Sequence, residues 1–490
     1  MKKGFIITIL LLSVLGNINS QTIKEKIEFA GSVGEGEYSP MWHLVNRQGI
    51  GSINKCMSYM RNDVAGFHNF SKSGISLNWN LSLVAGINLT NYVFIQQAYI
   101  DLDWKMFRLS VGQKERWSEY GDRNMTTGAL VESGNARPIP QVRIEMPEYW
   151  NVPGCKGWFS LKGHLAYGMF TDGAWQKRFF CDSSVYAKNV LYHSKELQLR
   201  FGNEEKFPLT AEIGLLMTTQ FGGDCYNSRN ELGNNHKNPT RFKDFLLAFI
   251  PLKGDNEYDG SDQTNVAGNV LGSWLGAITW NSKIWKMQIY YDHTFNDHSQ
   301  MFWEYGLWTE QLVGVELELK KLKWINKLTF EYFNLKDQSG PIYHDSTNEI
   351  PDQISCKDNN YNHSRYAGWF NYGMMIGTPL CTAPIYNKDR LQICYNNRVE
   401  AFHIGIAGSP TKWLDYRILL THSNNWGTYT FPFEYVMQNT SGLVETTLKP
   451  DFLNKWCVTF SFAFDNGELY GNNYGGLLTV RRDFVFDLKR

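Results

Sequence analysis

Aromatic residues stand beside carboxylates and amides in the longest polar stretches of the chain. A planar ring packs against the C–H surface of a sugar, and carboxylate or amide groups bind its hydroxyls. These residue types therefore favour a polyhydroxylated ligand. The alternative is that the same side chains pack and hydrogen-bond the loops to one another, which is the commoner outcome for any single residue. The candidate binding residues are Trp303, Glu304, Tyr305, Asp337, Gln338, Tyr343, Asp352, Gln353 and Tyr361.

Arginines form a second candidate set. Arg116 and Arg137, with Arg143 beside them, fall near a face that we expect to be polar. A guanidinium binds carboxylate and phosphate groups through paired N–H donors, so Arg116 and Arg137 are candidates for contact with an anionic polymer. The alternative, which we favour, is that these arginines pair with carboxylates on the same face.

The sequence offers no comparable arrangement for catalysis or for metal binding. Asp292 and His293 are adjacent, and adjacent residues of a strand point to opposite faces, so they do not form a dyad there. The eight cysteines contain no Cys-x-x-Cys and no paired Cys/His spacing, and their disulfide pairing stays open. We expect a protein that is not an enzyme and binds no metal or other cofactor. A triad that assembles in space is not excluded by spacing, so a barrel-type surface hydrolase stays as a minor alternative.

The stretch Lys283–Phe333 indicates which element carries these loops. Apolar and polar residues alternate from Trp285 to Asp292, again from Val313 to Lys320, and again from Trp324 to Tyr332. Alternation with period two predicts strands with one apolar and one polar face. A soluble sandwich could also alternate, but here aromatic residues bound the apolar face at both ends, as in the wall of a membrane-spanning barrel. These residues are Trp280, Trp285 and Trp324 beside short turns, and Tyr291 and Tyr332 near the opposite ends.

The N-terminal residues and the composition agree with a membrane-spanning barrel. Residues 1–20 combine a basic start, an apolar run and small polar residues, which predicts a secretory signal peptide. The mean hydropathy of -0.38 excludes a helical membrane protein, whereas 15% aromatic residues suit many strands. The net charge of zero gives no indication of nucleic acid as a partner.

The predicted connections alternate between short and long along the chain. Short turns such as Asn281–Lys283 and Lys320–Lys323 alternate with long segments such as Lys114–Pro138 and Lys336–Arg398. Outer-membrane barrels alternate short periplasmic turns with long extracellular loops in this way. The sequence predicts an all-β fold: a transmembrane antiparallel β-barrel of the outer membrane with about eighteen strands. We expect residues 21–490 to form this single domain, with both ends on the short-turn side.

Several segments resemble the capsule assembly protein Wzi family of bacterial outer membranes. The likeness lies in loop motifs, spread over nearly the whole chain after residue 20. The matching segments are Glu37–Trp42, Asn46–Gly49, Gly112–Trp117, Ser133–Arg143, Gly163–Phe170, His298–Tyr305, Lys336–Pro341, Ile350–Ile354 and Tyr470–Tyr474.

The resemblance implies an eighteen-stranded outer-membrane barrel that acts like a lectin and holds capsular polysaccharide on the cell surface. It fixes no binding residue one by one. The expected partners are capsular polysaccharide, outer-membrane lipid and the capsule export machinery, and the protein is expected to be a monomer. The alternative function is a diffusion porin for small polar or sugar solutes, which single-channel conductance would distinguish. The aromatic content of Lys336–Arg398 predicts an ordered segment that folds over the barrel mouth.

Overall fold

Eighteen antiparallel strands close into one barrel. The computed structural model describes residues 21–70, 74–228, 233–255, 266–296, 301, 308–338, 343–345, 353–355, 359–453 and 455–488. Within these ranges the barrel strands, β1 to β18 in chain order, are Gln21–Glu35, Met57–Phe70, Ile75–Ile87, Val93–Trp104, Phe107–Gln113, Gln141–Asn151, Phe159–Met169, Leu191–Phe201, Leu209–Phe221, Asn269–Asn281, Trp285–Phe295, Gln311–Leu319, Lys327–Asn334, Val399–Thr411, Leu414–Gly427, Pro432–Leu448, Trp456–Gly467 and Asn473–Leu488. β1 pairs with both β2 and β18, which closes the sheet and confirms the predicted fold class and strand number.

The register confirms which face was predicted to be apolar. Ile289 pairs with Val315, which in turn pairs with Phe330. Ile289 and Phe330 are exposed on the outer surface, whereas Tyr290 and Glu331, their neighbours in sequence, are buried inside the barrel. Because side chains alternate along a strand, the apolar residues of β11, β12 and β13 that are in phase with Ile289, Val315 and Phe330 face outward.

Aromatic residues collect on the outer surface near the short turns, as predicted. The rings of Trp280 and Trp285 stack with centroids 6.4 Å apart, and Phe207 meets Trp280 edge-on at 5.6 Å. Trp324 is exposed in the turn before β13, which begins at Lys327, so the strand prediction that included Trp324 started too early. Such a girdle marks the boundary between an apolar wall and water.

The two ends of the barrel differ in their connections. At one end, called the turn end, the strands are joined by 71–74, 105–106, 152–158, 202–208, 282–284, 320–326, 412–413 and 449–455. At the other, called the loop end, they are joined by 36–56, 88–92, 114–140, 170–190, 222–268, 296–310, 335–398, 428–431 and 468–472. This is the predicted alternation, although 88–92, 428–431 and 468–472 are as short as the turns.

Short elements occupy the loop end. The helices are α1 (Met41–Leu44), α2 (Gly173–Phe179) and α3 (Phe242–Phe249), and the 3-10 turns are Pro384–Tyr386 and, at the turn end, Asp451–Leu453. Small antiparallel sheets pair Tyr186–Lys188 and Asn235–Lys237 with Asp224–Tyr226, Tyr343–Asp345 with Gln353–Ser355, and Phe370–Asn371 with Met374–Met375. No helix in the described part of the chain is long and apolar enough to cross a membrane.

Candidate functional site

Three connections of the loop end fold into the barrel mouth and form what we call the plug: residues 36–56, residues 114–140, and residues 335–338 with 359–398 of the third connection. Leu44, Leu130 and Trp369, one residue from each connection, are buried in a single apolar cluster. Tyr290 and Phe333 extend this cluster onto the inner face of the wall. The plug is therefore a hydrophobic core, of the kind that a hollow barrel lacks, placed across the mouth.

Hydrogen bonds join the plug segments to one another. The Asn135 side chain donates to the Met375 carbonyl at 3.0 Å, and the Asn371 side chain donates to the Arg137 carbonyl at 2.8 Å. The Tyr361 hydroxyl donates to the Leu130 carbonyl at 2.9 Å. These bonds satisfy backbone carbonyls in the interior of the plug, where an unpaired group is costly.

Carboxylates on the barrel wall hold the plug in place. Glu331 accepts hydrogen bonds from the backbone N–H and the hydroxyl of Thr127 at 2.8 and 2.7 Å. Asp292 accepts from the Leu130 N–H at 2.9 Å, and Asp465 accepts from the Met41 N–H at 3.0 Å. The polar positions of the alternating strands thus supply acceptors for plug donors that have no partner in a helix or sheet.

A cleft lies at the loop end, between four connections. It is lined by Tyr38 and Asn54 of 36–56, Tyr92 of 88–92, Phe179 of α2, and Asn387 beside the turn Pro384–Tyr386. The cavity volume is about 660 Å³, within the ~300–1,000 Å³ that is typical of ligand pockets. Aromatic faces and amides line the same cleft, and these groups suit a segment of a sugar polymer.

The cleft wall is rigid on the plug side. The rings of Tyr38 and Tyr386 meet edge-on with centroids 5.1 Å apart, and Tyr386 packs in turn on buried Tyr470 at 4.9 Å. The Asn387 side chain donates to the carbonyls of Leu391 and Ile393 at 2.8 and 2.7 Å, which fixes the turn that follows. A site held in this way loses little freedom when it binds a ligand.

The cleft is positively charged. Lys55, Lys388 and Arg390 line it together with one carboxylate, that of Glu37. Lys388 lies 2.7 Å from Glu37, and this contact lowers the pKa of the Glu37 carboxyl. Within the described ranges, Lys55 and Arg390 form no ion pair, so their charges are available to a ligand.

Two predicted binding residues are instead buried parts of the plug. Gln338 is fully buried, where its amide donates to the carbonyls of Leu335 and Asn397 and accepts from the Asn360 N–H. Tyr361 is 3% exposed and its hydroxyl is used inside the core. Both side chains therefore pack and hydrogen-bond the loops to one another, which was the alternative to ligand binding, and neither lines the cleft.

Arg137 and Arg116 do not form the carboxylate pairs that we favoured. The Arg137 guanidinium lies between the rings of Phe94 and Tyr372, 3.8 and 3.9 Å from their centroids, and burial lowers its pKa to about 10. Arg116 donates to the Lys114 carbonyl at 3.2 Å. Neither has an ion-pair partner among the described residues, whereas Arg143 does pair with Glu145 at 2.6 Å. The pairing interpretation is wrong for Arg116 and Arg137 and holds for Arg143.

The remaining predicted binding residues differ in where they lie. Asp337 is half-buried, and its backbone carbonyl accepts a hydrogen bond from the Tyr429 hydroxyl. The guanidinium of Arg398 lies 3.9 Å from the centroid of the same tyrosine ring. Tyr343 and Gln353 lie in paired short strands, Tyr343–Asp345 and Gln353–Ser355. Trp303, Glu304, Tyr305 and Asp352 lie outside the described residues.

A second cavity lies between the plug and the wall, and its charged lining includes Arg116, Glu132 and Glu196. The Glu132 carboxylate accepts hydrogen bonds from the hydroxyls of Tyr192 and Ser194, and burial raises the pKa of Glu132. Across the described part of the chain, no group of His, Cys, Asp and Glu side chains is placed to hold a metal ion. Cysteines 56, 155, 181, 225, 381, 394 and 457 are free thiols, and Cys356 lies outside the described residues.

The sequence profile of the capsule assembly protein Wzi family matches residues 71–383. The chain belongs to this family. As a Wzi-family member with a closed antiparallel barrel, it is an integral protein of the outer membrane. The loop end of such a barrel faces the cell exterior, so the cleft opens outward and the turn end faces the periplasm.

Several solved structures are similar to this chain, and the one with a TM-score above 0.5 supports the fold. Wzi from Escherichia coli, an outer membrane protein involved in group 1 capsule assembly and a carbohydrate-binding β-barrel, is similar with a TM-score of 0.56 and 11% identity over 93% of this chain and 83% of that one. OccK3 from Pseudomonas aeruginosa has a TM-score of 0.49 with 10% identity over 95% and 96% of the two chains. OprD from the same organism has a TM-score of 0.47 with 8% identity over 96% of each chain. No curated protein sequence matches this chain.

The cleft residues are the ones that sequence reasoning missed. A signal was available for Glu37 and Tyr38, which lie in Glu37–Trp42, one of the segments that resemble the Wzi family. Nothing in the sequence indicated Asn54 or Tyr92, whereas Lys388 lies within Lys336–Arg398, the segment predicted to fold over the barrel mouth. These residues come together only because four connections meet at one side of the mouth.

Proposed function

We propose that this protein holds capsular polysaccharide at the cell surface by binding it in the extracellular cleft, without catalysis. The observation that carries the proposal is the cleft itself, in which Tyr38, Phe179 and Tyr92 present rings beside the amides of Asn54 and Asn387. Family membership and the carbohydrate-binding activity of the similar E. coli Wzi support the same function.

The position of the plug favours retention over passage of solutes. A diffusion porin needs a continuous aqueous lumen, whereas here the apolar cluster of Leu44, Leu130 and Trp369 crosses the mouth. A polymer that stays outside the barrel needs only an exposed and rigid surface. The cleft provides this surface above the plug.

We expect the polymer to be held by many shallow contacts. A sugar ring gains packing area against an aromatic face and a few hydrogen bonds, each of which contributes only about 0.5–1.5 kcal/mol net of its exchange with water. A chain of sugars adds such contacts along the cleft, so affinity rises with polymer length.

The test compares cell-attached with shed capsule in cells that carry cleft variants. Tyr38→Ala, Asn54→Ala and Lys388→Ala should each reduce attached polymer modestly, and the triple variant should release most of it. The matched control is Lys321→Ala with Lys323→Ala in the periplasmic turn 320–326, which should retain capsule as the parent does. Heat-modifiable gel mobility verifies barrel assembly. If the assembled triple variant retains capsule at the parental level, the cleft is not the polysaccharide site.

A further inference from the structure

The outer wall below the cleft contains an apolar groove. It crosses β1, β2, β3, β4 and β18, and its sides are the exposed side chains of Phe29, Met60, Ile87, Val93 and Leu478. Gly31 lies between them, opposite Ser58 on β2 and Leu478 on β18. Since glycine has no side chain, the floor of the groove is at the level of the backbone there.

The groove and the cleft are continuous. Tyr92 lines both of them and is 75% exposed. Lys55 lines the cleft and precedes Ser58 of the groove by three residues, a stretch of chain that spans at most ~11 Å. An apolar surface that faces the membrane therefore passes directly into a polar surface that faces the exterior.

The polar part of this surface is complementary to an anion. Lys55 and Arg390 form no ion pair among the described residues, whereas Lys388 is bound to Glu37 at 2.7 Å. Cations at a membrane boundary attract anionic lipid head groups. The amides of Asn54 and Asn91 in the same cleft add hydrogen-bonding groups for hydroxyls.

We propose that the groove and the adjoining edge of the cleft bind one acylated, phosphorylated glycolipid of the outer leaflet. Its phosphorylated sugar lies at Lys55, Asn91 and Arg390, and one acyl chain lies along the groove over Gly31. The rest of the cleft is left for the polysaccharide of the proposed function. The barrel would then hold the polymer and a lipid of the leaflet side by side.

The head group decides the selectivity. An acyl chain that moves from the bilayer into the groove exchanges one apolar environment for another, so the groove contributes mainly through its fit to the chain. By contrast, the lipid phosphates gain a contact with Lys55 and Arg390 that the surrounding bilayer does not offer. We therefore expect about a tenfold loss of affinity when both cations are reversed, and a loss of a few-fold when the groove is filled.

The experiment measures binding of labelled diphosphoryl lipid A to the purified barrel in phosphatidylcholine nanodiscs. Lys55→Glu with Arg390→Glu tests the cations, and Gly31→Leu tests the groove. A side chain at Gly31 fits, because its Cβ would lie 3.8 Å from the Met57 carbonyl oxygen and 4.0 Å from the Ser58 Cβ. Gly276→Leu is the matched control, an outward glycine on β10 whose Cβ would lie 3.7 Å from the Glu212 carbonyl oxygen. Ala85→Leu fills the groove from β3 if Gly31→Leu does not assemble.

The expected result is saturable binding of lipid A that exceeds binding of dephosphorylated lipid A and of phosphatidylglycerol. The cation and groove variants should weaken it, and Gly276→Leu should not. Equal binding of lipid A and phosphatidylglycerol, or equal binding by parent and Gly31→Leu, would overturn the proposal. Capsule polymer freed of lipid is measured in parallel. If Gly31→Leu leaves both ligands bound, only the glycolipid site fails; if the parent binds lipid A but not the polymer, only the polysaccharide function fails.

Discussion

The indole N–H of Trp369 donates a 2.8 Å hydrogen bond to the carbonyl oxygen of Val131. Both residues are fully buried, and they belong to two different connections of the barrel. This single bond ties the centre of one plug segment to the centre of another. It shows that the mouth is closed by tertiary structure, in the same way as the interior of a soluble domain is filled.

Replacing Trp369 by phenylalanine should loosen the plug while keeping most of its packing. The Val131 carbonyl would be left without a donor in a buried position, at a cost of about 1–3 kcal/mol. Urea titration in lipid vesicles measures this as a lower free energy of unfolding. Trp308→Phe is the control, because Trp308 is 71% exposed and should change stability little. Equal losses in the two variants would mean that the bond contributes nothing.

Replacing Glu331 by alanine should make the barrel leak. Glu331 accepts from Thr127 and from the Tyr290 hydroxyl, so its loss leaves several buried donors unpaired and releases one anchor of the plug. We expect brief openings in planar-bilayer recordings, against little steady current for the parent. Glu318→Ala, an exposed position on the same face of the neighbouring strand, serves as the control. A parent that conducts steadily would favour the porin alternative instead.

Arginine at Ile289 should destabilise the barrel much more than arginine at Gln288. Ile289 is 41% exposed on the lipid-facing surface, where a charge near the bilayer midplane costs about 2–4 kcal/mol. Gln288 faces the lumen and bonds to Thr279, so a charge there meets polar surroundings. Unfolding in lipid vesicles ranks the two variants. The reverse ranking would contradict the register.

The stability of the mouth should depend on pH through His43. Burial lowers the pKa of His43 to about 3, against ~6.5 for an unperturbed histidine. As the pH falls below about 6.5 the unfolded chain takes up a proton that the folded chain does not, so stability falls by about 1.4 kcal/mol per pH unit until about pH 3. His43→Gln removes this dependence. Parallel stability–pH curves for the two proteins over pH 6 to 4 would show that His43 does not titrate as a buried group.

Gln338 and Asp337 should respond differently to alanine. The Gln338 side chain joins three backbone groups inside the plug, so Gln338→Ala should lower thermal stability and disturb capsule retention only through that loss. Asp337 contributes its backbone carbonyl to the Tyr429 contact, which alanine keeps. Asp337→Ala should therefore leave the melting temperature unchanged. A stable Gln338→Ala variant with defective retention would return Gln338 to the binding surface.

The wall could be predicted from the sequence because strand alternation is a local signal. Along β11, β12 and β13, side chains face the lipid and the lumen in turn, and this pattern needs no knowledge of distant parts of the chain. The start of β13 was misplaced at Trp324 because a girdle residue in a turn continues the same pattern.

The plug and the cleft could not be predicted in this way. Tyr361 and Gln338 have the composition of ligand-binding residues, and only their contacts with Leu130 and Asn397 reveal them as core. Arg137 was expected to find a carboxylate and instead lies between two aromatic rings from other connections. Each of these outcomes depends on which loops meet in space, which no local pattern specifies.

The anchoring of the plug by wall carboxylates has a consequence for the order of assembly. The segment 114–140 follows β5, yet its acceptors are Asp292 on β11 and Glu331 on β13, and His403 on β14 contacts the Met125 carbonyl. The segment therefore has no complete set of partners until most of the strands have been inserted and the sheet has curved round. Docking of this segment is therefore expected to be a late step of assembly that follows the formation of β14. During biogenesis, residues 114–140 should therefore stay sensitive to protease until β14 is in place, so loss of that sensitivity would time the folding of the later strands.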